Sequence, residues 1–249
     1  MSILPHLATL ILSMEYSIIV PAYNEEQSIE NALNRIAEVF DTLQKPYEIL
    51  VIDDGSTDAT ATLTSNLVSK YPTTKLLRHE INKGKGEAVK TGVSAAKGVY
   101  TVFLDADLAT EPSTFLSFIP ALKDHPIVIG SRKIRDARIA KPQPWYRHVF
   151  GNTFNAIIRH TLDLEYTDTQ CGSKAFQTPV AKELFQNLET TGWTFDVEIL
   201  LKAKQKQYSV KELPVTWKNG SMSRVKLSEA PQILKEILAL KKRYQSTNK

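Results

Sequence analysis

Two carboxylates one residue apart, Asp105 and Asp107, close the apolar run Thr101-Val-Phe-Leu104. In extended backbone, residues i and i+2 share a face. If the chain stays extended past Leu104, both carboxylates can point at one object. Two anions held that close repel unless positive charge sits between them. A hard divalent cation, Mg2+ or Mn2+, carrying a phosphorylated ligand meets that need. Taken alone, the pair reads first as a polar turn in which Asp107 caps the next helix. Other apolar runs end in similar groups: Pro21-Ala-Tyr-Asn-Glu25, Asp53-Asp54 and Ser131-Arg132. Lys83-Gly-Lys-Gly86 sets two lysines around glycines, where backbone can approach a phosphate.

An alternation of strand and helix from about residue 16 to residue 104 must position these groups. Residues 16–23 and 48–53 are apolar, β-branched runs, and residues 75–79 make a third, shorter strand. Asn24 is placed to cap a helix, with Glu25 and Glu26 at its positive end. In that helix Ile29, Leu33, Ile36, Ala37, Phe40 and Leu43 recur at helical spacing. Asp54-Gly-Ser-Thr-Asp58 ends the second strand, and Ser56 or Thr57 caps a helix over residues 59–70. Gly86 leads into a helix ending near Gly98. The pattern predicts a mostly parallel sheet with helices on both faces, and ligands at the carboxyl ends of its strands.

Beyond residue 110 the period changes. A helix is expected over 111–123, a strand over 127–130, and a basic, proline-rich loop over 133–147. Helices follow over 146–162 and from Gly192-Trp-Thr-Phe-Asp-Val-Glu198 to Gln205. A single strand covers 210–217, then a glycine- and serine-rich loop over 219–224. The last helix, 228–244, sets Ala230, Ile233, Leu234, Ile237, Leu238 and Leu240 beside Lys235, Lys241, Lys242 and Arg243. Such a face can lie at a bilayer interface or pack on its own domain.

Composition bounds the rest. The chain has 249 residues, 42% hydrophobic and 23% charged, and a net charge of +4, which suits an anionic partner if the basic residues cluster. Cys171 is the only cysteine, which excludes an internal disulfide and a cysteine zinc site and fits a cytoplasmic setting. The histidines lack metal-ligand spacing. The apolar run over residues 3–12 has no basic flank or cleavage site and is about half a bilayer span. No membrane-crossing helix and no nucleic-acid partner are expected.

Together, Val20-Pro-Ala-Tyr-Asn-Glu25, Val51-Ile-Asp-Asp-Gly-Ser-Thr-Asp58, Asn82-Lys-Gly-Lys-Gly86 and Leu104-Asp-Ala-Asp107 resemble the inverting family 2 glycosyltransferases of the nucleotide-sugar-binding GT-A type, a Rossmann-like α/β fold. Gly130-Ser-Arg132, Asp168-Thr-Gln-Cys-Gly-Ser-Lys174 and Trp193-Thr-Phe-Asp-Val-Glu198 are similar to the polyprenyl-phosphate branch, the dolichyl-phosphate glucosyltransferases and dolichol-phosphate mannose synthases. The resemblance implies one domain over 1–249, with a nucleotide-binding half (16–125), an acceptor half (126–225) and an amphipathic C-terminal helix (226–249).

The resemblance also implies roles. Pro21, Ala22, Tyr23, Glu25, Asp53 and Asp54 would cradle base and ribose, and Lys83 and Gly86 the phosphate or base. Asp105, Ala106 and Asp107 would meet the diphosphate, the two carboxylates through Mg2+ or Mn2+. Arg132 and Arg147 would hold the acceptor phosphate, Arg224 would close over the diphosphate, and Asp168 would stand near the reacting sugar. Asp196 joins Asp168 as a candidate catalytic carboxylate, although it and Glu198 also suit a helix start. In the mannose synthases a Gln two residues after the second Asp helps hold the metal; here that position is Ala109. The implied reaction moves a hexose, glucose favoured, from UDP-glucose (or GDP-mannose as donor) to a polyprenyl phosphate, at the cytoplasmic membrane face. Two alternatives stand beside it. One is a soluble sugar or protein hydroxyl acceptor, which would need Asp168 or Asp196 as a base; the other is a non-catalytic nucleotide-sugar-binding protein.

Overall fold

The computed structural model describes residues 13–141, 145–218 and 230–246. The N-terminal apolar run and Arg224 lie outside the described residues, as does the side chain of Arg147.

The chain runs β1 (Tyr16–Ala22), α1 (Ile29–Asp41), β2 (Tyr47–Asp53), α2 (Thr60–Lys70), β3 (Thr74–Arg78), α3 (Lys85–Ala95) and β4 (Tyr100–Phe103). A 3-10 turn at Pro112–Thr114 then leads into α4 (Phe115–Ala121) and β5 (Ile127–Ser131). The remainder is β6 (Arg138–Lys141), α5 (Trp145–Leu162), β7 (Lys174–Gln177), α6 (Thr178–Gln186), α7 (Phe195–Gln205), β8 (Val210–Pro214), β9 (Thr216–Lys218) and α8 (Ala230–Ser246).

Seven strands form one sheet in the order β3-β2-β1-β4-β7-β5-β8. All its pairings are parallel except those of β7, which runs antiparallel between β4 and β5. Alternate side chains of each strand serve opposite faces. Ile18, Val20, Ile49 and Val51 join α1 and α4 in one buried cluster, whereas Ile19, Leu50, Ile52 and Phe103 join α3, α5, α6, α7 and α8 in the other. A sheet buried on both faces reads as continuous apolar runs rather than alternation.

Several local expectations are corrected. Asn24 does not cap α1, which begins at Ile29; its φ is +53° and its Oδ1 accepts from the Thr57 N–H at 2.9 Å. Asp58, rather than Ser56 or Thr57, accepts from the first N–H of α2, that of Thr60, at 2.9 Å. Part of the basic loop is strand: β6 pairs in parallel with β9 as a separate two-stranded sheet. The single strand expected over 210–217 divides at Val215 into β8, in the main sheet, and β9, outside it. α6 is a helix where none was expected. The apolar face of α8 is split, with Ile233, Ile237 and Leu240 buried and Leu234 and Leu238 exposed. Among the described residues, no helix is long and apolar enough to cross a membrane.

Candidate active site

The loops after β1, β2 and β4 emerge side by side because these parallel strands are neighbours. The first two are laced together. The Asn24 N–H donates to Ser56 Oγ (2.9 Å), Glu25 N–H to Thr60 Oγ1 (2.7 Å), and Ala59 N–H back to Glu26 Oε2 (3.0 Å). Pro21 and Tyr23 are half-buried on this rim and Ala22 is buried beneath it, while the Glu25 carboxylate accepts from Ser28 Oγ. Asp53 is fully buried. Its Oδ1 accepts from the Ser56 N–H at 3.1 Å. Its Oδ2 stands 3.0 Å from Arg78 Nε but has no well-aligned hydrogen bond within the protein, so it is a buried acceptor suited to a ligand donor.

Asp54 is turned inward. It accepts from His79 Nδ1 (2.7 Å), Lys83 N–H (2.9 Å) and Gly84 N–H (2.8 Å), and His79 Nε2 meets Thr91 Oγ1 at 3.0 Å. Asp54 and the buried His79 therefore fix the glycine loop. That loop needs its glycines: Gly84 has φ +95°, and a Cβ on Gly86 would fall 2.7 Å from the Thr190 carbonyl oxygen and 2.8 Å from Phe195 Cβ. The Gly86 N–H donates to Thr191 O at 2.7 Å. The 189–191 segment is held in turn by buried Glu198, which accepts from the N–H groups of Glu189 and Thr190 and from Thr190 Oγ1 (2.7 Å).

This packing leaves Lys83 exposed and aims Lys85 inward. Lys85 Nζ lies 2.5 Å from Asp105 Oδ1, with the rings of Trp193 and Phe195 at 5.7 and 5.9 Å. β4 ends at Phe103, and the chain does not stay extended. Residues 105–108 make a turn, with the Leu108 N–H donating to Asp105 O at 3.0 Å and Leu108 at φ +49°. Ala106 is buried, Asp105 half-buried and Asp107 exposed, its Oδ1 accepting from the Ala109 N–H at 2.9 Å. The two carboxylates still converge electrostatically, for both act on Lys85. Burial disfavours that ammonium, but Asp105, then Asp196 and Asp107, outweigh it and raise its pKa.

No group of three or more His, Cys, Asp or Glu among the described residues has the arrangement of a metal cage. Two hard carboxylates fit Mg2+ or Mn2+, which take one or two carboxylates and complete their shell with water and substrate phosphate.

A second cluster lies beyond β5 and β7. Arg132, just after β5, grips Asp168 in a bidentate pair, Nε to Oδ2 at 2.7 Å and Nη2 to Oδ1 at 2.8 Å. Burial pushes the Asp168 carboxyl up, yet the Arg132 charge and hydrogen bonds prevail and hold it at about 2. The segment carrying Asp168 is clamped from both sides. Glu212 accepts from the N–H groups of Thr167 (3.0 Å) and Asp168 (2.8 Å), while Asn155 donates to Thr167 O (2.7 Å) and accepts from Thr169 Oγ1 (3.0 Å). Arg132 also lies over Trp217, with Cζ 5.7 Å from the ring. Trp217 bridges Thr110, so β9 ties the acidic turn to the arginine.

Asp196 opens α7 but is not available to a substrate as a lone carboxylate. It accepts from Lys174 Nζ at 2.6 Å, and that fully buried lysine also donates to Cys171 O at 2.7 Å. Burial raises the Asp196 pKa against the pull of Lys174 and Lys85. Sequence reasoning gave no role to Lys174, Glu212, Asn155 or His79. A lysine at the head of an apolar strand was the one visible signal among them.

The sequence profile described as Glycosyl transferase family 2 matches residues 17–185. The chain belongs to that family. The glycosyltransferases similar to it include a dolichyl-phosphate beta-glucosyltransferase of Dictyostelium discoideum, 33% identical over 242 residues, covering 92% of this chain and 74% of the relative. One of the same description from Drosophila melanogaster is 33% identical over 219 residues, covering 82% of this chain and 67% of its own length. Among solved structures, glucosyl-3-phosphoglycerate synthase from Mycobacterium tuberculosis in complex with Mn2+, UDP and phosphoglyceric acid superposes with a TM-score of 0.63. It is 19% identical and covers 91% of this chain and 77% of its own, a likeness of fold that identifies the mostly parallel sheet as GT-A.

Proposed function

We infer that this glycosyltransferase moves glucose from UDP-glucose to a polyprenyl phosphate with inversion at the anomeric carbon, assisted by Mg2+ or Mn2+ at Asp105 and Asp107. One observation carries the choice of acceptor. Both carboxylates that a hydroxyl acceptor would use as a base are already ion-paired within the protein, Asp168 to Arg132 and Asp196 to Lys174. A hydroxyl needs a base to take its proton. A phosphate monoester is already anionic near neutral pH and needs cations instead. Arg132 offers guanidinium N–H donors beyond the two that Asp168 takes, and Arg147 adds a second cation in sequence.

On the donor side, Asp53 Oδ2 is a buried acceptor for a base or ribose donor, beside the rim of Pro21, Ala22 and Tyr23, with Glu25 behind it. Asp54 and Gly86 act by shaping the Lys83–Gly86 loop. The divalent ion, when bound, supplies positive charge to the diphosphate as the sugar–phosphate bond breaks. The acceptor oxygen attacks opposite that bond, the nucleoside diphosphate leaves, and Asp168 stands as a fixed negative charge near the electron-poor sugar. The dolichyl-phosphate relatives support the glucose and lipid-phosphate assignment. Exposed Leu234 and Leu238 with Lys235 and Lys242 on α8 suit contact with the membrane that holds such a lipid.

The test is calorimetry of UDP-glucose against GDP-mannose with and without Mn2+, followed by transfer assays with a short polyprenyl phosphate and the matching polyprenol. Metal-dependent UDP-glucose binding and transfer to the phosphate alone are expected. Equal transfer to the alcohol would overturn the base-free reading, and preference for GDP-mannose would overturn the donor.

A further inference from the structure

Lys85 stands where the metal-binding reading leaves no room for an accident. It is the first residue of α3, where the helix dipole disfavours a cation. Its side chain is only 17% exposed, so water screens its charge poorly. Nevertheless its ammonium meets Asp105 at 2.5 Å, with Asp107 and Asp196 within electrostatic reach and two aromatic faces behind it. The surroundings enforce this placement. Gly84 and Gly86 press the loop against Thr190 and Thr191, and Phe195 and Trp193 wall the side chain. A local sequence choice that opposes the helix dipole and is held by so many contacts marks function rather than folding.

We propose that Lys85 is a built-in counter-cation of the metal-binding turn, occupying Asp105 in the ligand-free protein so that the divalent ion binds tightly only together with the nucleoside diphosphate. This rests on the metal-assisted reading above and adds an order to it. A lone metal ion must displace an ammonium already bonded to Asp105, and it gains only two carboxylates, since Ala109 supplies no side-chain donor. A metal–nucleotide complex brings phosphate oxygens of its own. These complete the ion's shell and give the displaced ammonium a new anionic partner, while Trp193, Phe195 and Asp196 keep it at the site.

The experiment is Mn2+ titration of the full chain, read by the loss of the free-ion electron paramagnetic resonance signal, with and without UDP. Wild-type protein should bind Mn2+ weakly alone and on the order of tenfold or more tightly with UDP. Lys85→Met should raise the nucleotide-free Mn2+ affinity by roughly tenfold, the scale expected for removing one close like charge from a partly buried site. Lys85→Arg should behave as wild type. Wild-type protein that binds Mn2+ as tightly without UDP as with it would overturn the proposal, and this arm needs no variant to fold. A folded Lys85→Met protein with unchanged or weaker nucleotide-free affinity would overturn it too. No Mn2+ binding under either condition would instead remove the metal site itself, and the proposal with it.

Discussion

Asp168→Asn tests how charge, rather than shape, builds the Arg132–Asp168 cluster. Asparagine keeps the size of the side chain and can still accept one hydrogen bond from Arg132. What it loses is the anion. Holding the carboxyl at about 2 instead of its ordinary 3.8 corresponds to about 2.5 kcal/mol, at ~1.4 kcal/mol per tenfold. The figure is an upper guide, because the Arg132 side chain is 27% exposed and can turn to water once its partner is neutral. Because the folded-state pKa is depressed, this stabilisation is fully present above about pH 4. It fades as pH falls from there towards 2, where the folded carboxylate is protonated as well. Urea unfolding at pH 7, 5, 4 and 3 should therefore show wild type ahead of the variant by about 2 kcal/mol at pH 7. The gap should hold to pH 5 and narrow below pH 4. A gap of the same size at every pH would mean that asparagine disturbs packing or hydrogen-bond geometry, and that the Arg132–Asp168 charge interaction contributes little.

Lys174→Met should cost about 3–5 kcal/mol in chemical denaturation, because it strands buried Asp196, and adding Asp196→Leu should recover part of that loss. Gly86→Ala forces a methyl between Thr190 O and Phe195, so unfolding assays should show a loss of ~1–3 kcal/mol, with a raised KM for the donor. Gly172→Ala would set its methyl first against the carboxyl end of the Asp105 side chain. Its melting temperature should stay near wild type while its Mn2+ affinity in the presence of UDP falls several-fold, since the carboxylate must turn away.

The sheet was legible because β1, β2, β4 and β5 are buried on both faces and so appear as mostly apolar runs rich in β-branched residues. The polar residues at their ends were legible for the same reason, since they interrupt those runs. β6 was not, and β9 was legible only as the end of one longer strand; the separate pairing of the two spans some 80 positions, which no local pattern records. The roles of Asn24 and Asp54 follow from the backbone demands of two abutting loops, a tertiary matter. α6 is different. Its Thr178-Pro start and the apolar residues Val180, Ala181, Leu184 and Phe185 are an ordinary helix signal. The pairing of Lys174 with Asp196 lay hidden because a strand-borne lysine reads as solvated until its partner is seen 22 residues away.

The small β6–β9 sheet constrains chimaeras of this enzyme with its relatives. Ile139 registers with Trp217, Trp217 bridges Thr110, and the Lys218 N–H donates to Ala109 O at 2.8 Å. Three stretches far apart in sequence thus form one inheritable cassette. A graft that moves residues 132–141 alone would carry a foreign arginine face onto a strand that does not match it. Any exchange of the Arg132 face therefore means moving residues 132–141 and 216–218 together, and fitting both to the turn that begins at Asp105.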